Sequence, residues 1–138
     1  MHRRHVLALM SALVVSGDAA AETALRSASV EEAHSKVRDG QMVLIDVRTP
    51  QEWAETGSAR GAVRMDMADV DFIKKLNALK ASNPGREIGL ICRTGNRSAA
   101  VQVALSKVGH SDVVNVRGGM SGTPRDKGWL AASLPLDK

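Results

Sequence analysis

Three short apolar runs, separated by helix-start and helix-stop signals, limit what this chain can fold into. Met42-Val-Leu-Ile-Asp-Val47 and Glu87-Ile-Gly-Leu-Ile91 are nearly continuous in apolar character, and Asp112-Val-Val-Asn-Val116 follows later in the chain. Runs of this length and composition read as strands covered on both faces rather than as strands with one wet face. Between them lie capped helices. Ser29-Val30-Glu31-Glu32 is a capping box whose helix is closed by Gly40, and Thr49-Pro50-Gln51-Glu52 is a second, with Pro50 at the first helical position and Gly57 as the stop. Phe72, Ile73, Leu76 and Leu79 predict a helix over 69–81, ended by Asn83-Pro84-Gly85. Ser98 reads as the cap of a last helix through Val101, Ala104, Leu105 and Val108, closed by Gly109, and a weak strand is expected near Ala62 to Met65. Strands alternating with helices imply an α/β fold: a mostly parallel central sheet with helices on both faces. A chain of 138 residues is long enough for one such domain.

The first 21 residues do not share that pattern. Met1 to His5 is basic, Val6 to Val15 is almost wholly apolar, and Asp18-Ala-Ala-Ala21 supplies small residues before Glu22. This is the layout of a secretory signal peptide, with cleavage expected after Ala21, or next after Ala20, and residues 22–138 left as the mature domain. The apolar run falls short of the roughly twenty residues that span a bilayer. No cysteine follows it to take a lipid anchor, so no membrane attachment is expected after cleavage and the predicted location is the periplasm or the outside of the cell. Losing Arg3, Arg4 and Asp18 takes the net charge from +4 to +3. The remaining basic residues are scattered and only Trp53, Phe72 and Trp129 are aromatic, which leaves no stacking platform for nucleic acid. His34 and His110 stand without further ligands at metal spacing, so no metal or other cofactor is expected.

Cys92 is the chain's single cysteine. Exported proteins normally carry cysteines in disulfide pairs, so a lone thiol is either inert in the core or retained because it reacts. The residues that follow it, Arg93-Thr94-Gly95-Asn96-Arg97-Ser98, favour reactivity. Cys92 falls at the carboxyl end of an expected core strand, where open α/β sheets bind ligands, and just before a helix N-terminus. The helix dipole, two guanidinium groups and the amides of a glycine-containing loop all favour the thiolate, which is the nucleophilic form. Asp46, Arg48 and Glu52 read as a salt-bridged corner between strand and helix, outside the site. Trp53 reads as core or pocket wall, and Trp129 as an anchor for the C-terminal segment.

These residues resemble the rhodanese-like sulfurtransferases, and among them the single-domain exported thiosulfate sulfurtransferases. DVRTPQEW at Asp46 to Trp53 with Gly57 is similar to that family's first signature, RGA at Arg60 to Ala62 to the end of its second, CRTGNRS to its active loop and VRGGM at Val116 to Met120 to its closing segment. The similarity runs from about Ser29 to Leu136. Two departures stand out: Gly57-Ser58-Ala59 replaces a common Gly-His-Ile, and the tryptophan that follows Gly-Gly-Met comes later, at Trp129. The resemblance implies that Cys92 is the catalytic nucleophile and passes through a persulfide. Arg93, Thr94, Gly95, Asn96, Arg97 and Ser98 would bind substrate, with Arg93 and Arg97 holding an anionic donor. The partners implied are a small-molecule sulfur donor such as thiosulfate and an acceptor such as cyanide or a thiol. Two other readings stay open. One is a cysteine phosphatase or arsenate reductase, whose loop has Cys, five residues and Arg, one residue longer than the spacing from Cys92 to Arg97. The other is a non-catalytic rhodanese-like binding module.

Overall fold

The computed structural model describes residues 25–138; the expected signal peptide at 1–21 lies outside the described residues. In chain order the elements are β1 (Arg26–Ala28), α1 (Val30–Arg38), β2 (Met42–Asp46), α2 (Pro50–Thr56), β3 (Ser58–Ala59), β4 (Val63–Arg64), α3 (Phe72–Ser82), β5 (Glu87–Ile91), α4 (Asn96–Ser106), β6 (Val113–Val116) and β7 (Leu136–Asp137). The five-stranded sheet has the order β1-β6-β5-β2-β4, and every pair in it is parallel. β3 and β7 form a separate antiparallel pair.

The continuous apolar runs are explained by the two layers they serve. In β2, Met42 and Leu44 face a core shared with Val30 and Ala33 of α1, Met120 and Trp129, while Val43 and Ile45 face a second core with Phe72 and Leu76 of α3 and Leu105 of α4. A strand buried on both sides needs apolar residues at both parities, which is why no alternation is visible in its sequence. The same parity sets the direction of the nucleophile: Ile88, Leu90 and Cys92 all belong to the α3/α4 side.

Both capping boxes form. Ser29 and Glu32 exchange bonds at 3.1 and 2.9 Å, and Thr49 and Glu52 at 3.3 and 3.3 Å. Four expectations shift, the simplest being that the last helix, expected through Val108, ends at Ser106 with Val108 exposed beyond it. The helix expected from residue 69 begins at Phe72, because Asp66 and Asp69 accept from the amides of Ala68 and Asp71 and so hold turns ahead of it. The strand expected through Val47 ends at Asp46, although the Val47 amide still bonds Ile91 O at 3.0 Å. Ser98 does not cap the last helix: α4 starts at Asn96 behind Gly95, whose φ of 104° is open to glycine, and the Ser98 side chain turns inward within the first turn. Strands of two or three residues, β1, β3 and β7, carry too few positions for a periodicity to register.

Candidate active site

β5 and β2 run side by side with Ile91 opposite Asp46, so the chain segments leaving both strands emerge together. At the end of β5 the backbone turns through Arg93 to Gly95 and rises directly into α4. Cys92 is 1% exposed, yet its sulfur is surrounded by donors. The amides of Gly95 and Ser98 lie 3.1 and 3.4 Å from Sγ, and the Ser98 hydroxyl lies at 3.3 Å. Burial pushes the thiol up; the Ser98 hydroxyl and the amides of Ser98, Gly95 and Thr94 together outweigh it and hold the thiol below its ordinary value. The positive end of the α4 dipole acts in the same direction.

The loop keeps this shape because its carbonyls are held from behind. Gly118 and Gly119, after β6, bring the backbone close enough for the Met120 amide to bond Cys92 O at 2.9 Å and the Ser121 amide to bond Arg93 O at 2.8 Å. With the carbonyls turned out, the amides face in. Gly119 has a φ of 57°, and a Cβ built there would stand 2.4 Å from Cys92 O and 2.7 Å from the Arg93 carbonyl carbon. Only glycine permits that approach.

The seven residues of the loop divide into roles. Gly95 and Ser98 meet the sulfur directly. Thr94 contributes its amide, and its hydroxyl has no hydrogen bond among the described residues. Asn96 opens α4 from an exposed position. Arg93 is exposed and makes no ion pair among the described residues, so its guanidinium is available to an incoming anion. Arg97 is engaged: Nη1 and Nη2 each donate to a Glu52 carboxylate oxygen at 2.7 Å. The Arg97 fork, with the Thr49 contacts, pulls the Glu52 carboxyl down to about 2. Glu52, which closes its own capping box and which the local motif alone puts outside the site, thus also belongs to it. Asp46 and Arg48 form the expected corner. Arg48 is 1% exposed and donates to both Asp46 oxygens, at 2.9 to 3.2 Å, and to Gly57 O at 2.9 Å. Asn115 of β6 is a second residue the sequence did not mark, with Oδ1 2.6 Å from Ser98 Oγ.

The remaining residues singled out in the sequence lie elsewhere. Trp129 is fully buried, and its Nε1 bonds Pro135 O at 2.8 Å. His34 packs edge-on against it at 5.6 Å between ring centroids. His110 meets Lys80 on the surface between α3 and β6. Trp53 is half-buried under the Arg64 guanidinium, 5.9 Å from the ring centroid.

The profile of the rhodanese-like domain matches residues 29–123, from the cap of α1 to just past the Gly118-Gly119 clamp. The chain belongs to the rhodanese-like domain family. A crystal structure of a rhodanese-like domain protein from Staphylococcus aureus is 27% identical, covers 83% of this chain and 100% of its own, and superposes with a TM-score of 0.60. An uncharacterized protein of Rickettsia rickettsii is 28% identical over 98 residues, 67% of this chain and 80% of its own. The probable adenylyltransferase/sulfurtransferase MoeZ of Mycobacterium tuberculosis is 32% identical over 111 residues. That match takes in 78% of this chain but only 26% of MoeZ. In this rhodanese-like domain, the matched region contains the whole thiol loop and the backbone clamp behind it.

Proposed function

We propose that this protein is a sulfurtransferase that takes a sulfane sulfur from thiosulfate or a similar anionic donor onto Cys92 and passes it to cyanide or a thiol. The supporting observation is the ring of donors around a single buried sulfur whose thiol is held below its ordinary value. The Cys92 thiolate attacks the outer sulfur of thiosulfate, and the electron pair of the broken S–S bond leaves with sulfite. The resulting persulfide is attacked at its outer sulfur by the acceptor, and the pair of the Cys92–sulfur bond returns to the thiolate. No separate oxidant, reductant or general base is needed. The inward amides are preorganised to hold the negative charge carried by the loop at each stage. Arg93, exposed on the loop and without an ion pair among the described residues, would receive the donor's sulfonate end.

The short loop separates this reading from phosphoester hydrolysis. The amides of Gly95 and Ser98 bond the thiol sulfur itself, and Arg97 is tied to Glu52. A tetrahedral oxyanion would need those groups for itself. A purely binding role has no use for a buried thiol with this set of donors.

Incubation with thiosulfate and cyanide is expected to yield thiocyanate. Intact-mass spectrometry after thiosulfate alone is expected to show one added sulfur atom, and Cys92→Ser should lose both signals while keeping its circular dichroism. Substantial thiocyanate formation by the Ser variant, or faster hydrolysis of an aryl phosphate than sulfur transfer, would overturn the assignment. The reading includes export, and the mature protein recovered from its producing cell should begin at Glu22.

A further inference from the structure

Ser98 has one proton and three acceptors competing for it. Its Oγ lies 3.3 Å from Cys92 Sγ, 3.2 Å from Gly95 O and 2.6 Å from Asn115 Oδ1. The side chain is fully buried, so water does not relieve the competition. With the Asn115 oxygen toward Ser98, the shortest contact takes the proton, and the sulfur keeps the backbone amides of Gly95, Ser98 and Thr94 without the hydroxyl. Asn115 Nδ2 then makes a long 3.4 Å bond to Gly95 O.

The two ends of a carboxamide are nearly the same size, so the same heavy-atom positions accept the opposite orientation. With Nδ2 toward Ser98, asparagine donates to Oγ, and the serine proton is released to the sulfur. That orientation gives up the long bond to Gly95 O and sets two carbonyl oxygens near one another. In return it gains a hydrogen bond to a charged sulfur, worth more than one between neutral groups. The balance therefore follows the charge on Cys92. A neutral thiol favours the oxygen-inward amide, and a thiolate favours the nitrogen-inward one.

We propose that Asn115 is a positioning residue of the nucleophile: the orientation of its carboxamide decides whether Ser98 gives its single proton to the Cys92 sulfur. This concerns the free thiol and holds whatever the sulfur donor is. The charged groups around the pair are Arg93 on the loop, Arg97 with Glu52 from α2, Asp46 with Arg48 beyond β2, and Arg117 with Asp126 beside Asn115. Each of the last three pairs is internally neutralised, which leaves the Ser98 proton as the adjustable part.

The test is the pH profile of iodoacetamide alkylation of Cys92, which needs no sulfur donor. Asn115→Asp places an acceptor-only group against Ser98 and should lower alkylation on the acid side of the profile by about tenfold, the effect of one lost hydrogen bond to a charged group. Ser98→Ala should do the same. In the Ser98→Ala background, Asn115→Asp should retain only the through-space effect of its charge, so the two factors should not multiply. In the unmodified protein the Asn115 side-chain amide NMR signals should shift with the same midpoint as alkylation, and most of that shift should vanish in Ser98→Ala. Factors that multiply, or amide signals that stay fixed while Cys92 titrates, would show that Asn115 does not act through Ser98.

Discussion

Arg97 shows how a partner distant in sequence changes what a residue can do. The sequence places two cations beside the thiol and implies that both hold the donor. Of the two, only Arg93 lacks an ion pair among the described residues, because Glu52, 45 positions away, occupies the Arg97 fork. Nothing in the local motif marks Glu52 for this, since its capping-box role already accounts for it. Asn115 is hidden for the same reason: it reads as one polar residue in an apolar strand. Cys92, Gly95 and Ser98 were legible because the chemistry that activates the thiol lies within one short loop. Arg97→Ala is expected to leave the Glu52 charge uncompensated beside the loop, and so to raise the Cys92 pKa and shift the iodoacetamide profile to higher pH. Adding Glu52→Gln should reverse most of that shift. The pair also sets an acid limit. The Glu52 carboxyl lies at about 2 in the fold against 4.5 ordinarily, so its contribution to stability is complete above about pH 4.5 and is lost as pH falls through 2. Urea midpoints should therefore fall more steeply over that range in the unmodified protein than in Arg97→Ala.

At the scale of elements, the helix caps were readable in the sequence because each is a local hydrogen-bond pattern. The start of α4 was not. It follows Gly95, whose positive φ leads into the helix and which lies against the Gly118 backbone of a turn that enters from beyond β6. Gly119→Ala would drive a methyl group into Cys92 O and the Arg93 carbonyl. The expected result is a loop whose carbonyls swing inward and whose amides leave the sulfur. Sulfur transfer should fall by about 100-fold, as misplacement near 1 Å can cause, while far-UV circular dichroism changes little. A glycine inserted after Gly95 tests loop size separately. It gives the arginine phosphatase spacing and should lower thiosulfate use by at least about tenfold. Little phosphatase activity should appear in exchange, because the ring of donors is built around one sulfur.

At the scale of the whole molecule, the two apolar layers follow from the continuous strand runs, and both were readable in outline. Trp129, read from the sequence as an anchor for the C-terminal segment, is fully buried against the α1 layer; what the sequence does not show is that its amide bonds Gly119 O at 2.8 Å, behind the thiol loop. Trp129→Ala should cost about 3–5 kcal/mol of stability by emptying that site, read as a lower urea midpoint. Because its backbone neighbour is Gly119, the same variant should also slow Cys92 alkylation.

The strand order has a temporal consequence. β1, the first strand, pairs with β6, the last strand of the sheet, and β3 pairs with β7 near the end of the chain. A growing polypeptide can assemble β2 with β4 and β5, but the β1 rim of the sheet and the separate β3–β7 pair cannot close until the last quarter of the sequence is present. Topologies rich in such distant pairings fold slowly. If the pairings of β1 and β7 form last, refolding from urea should be slowed little by changes in either strand, whereas unfolding of those variants should be markedly faster.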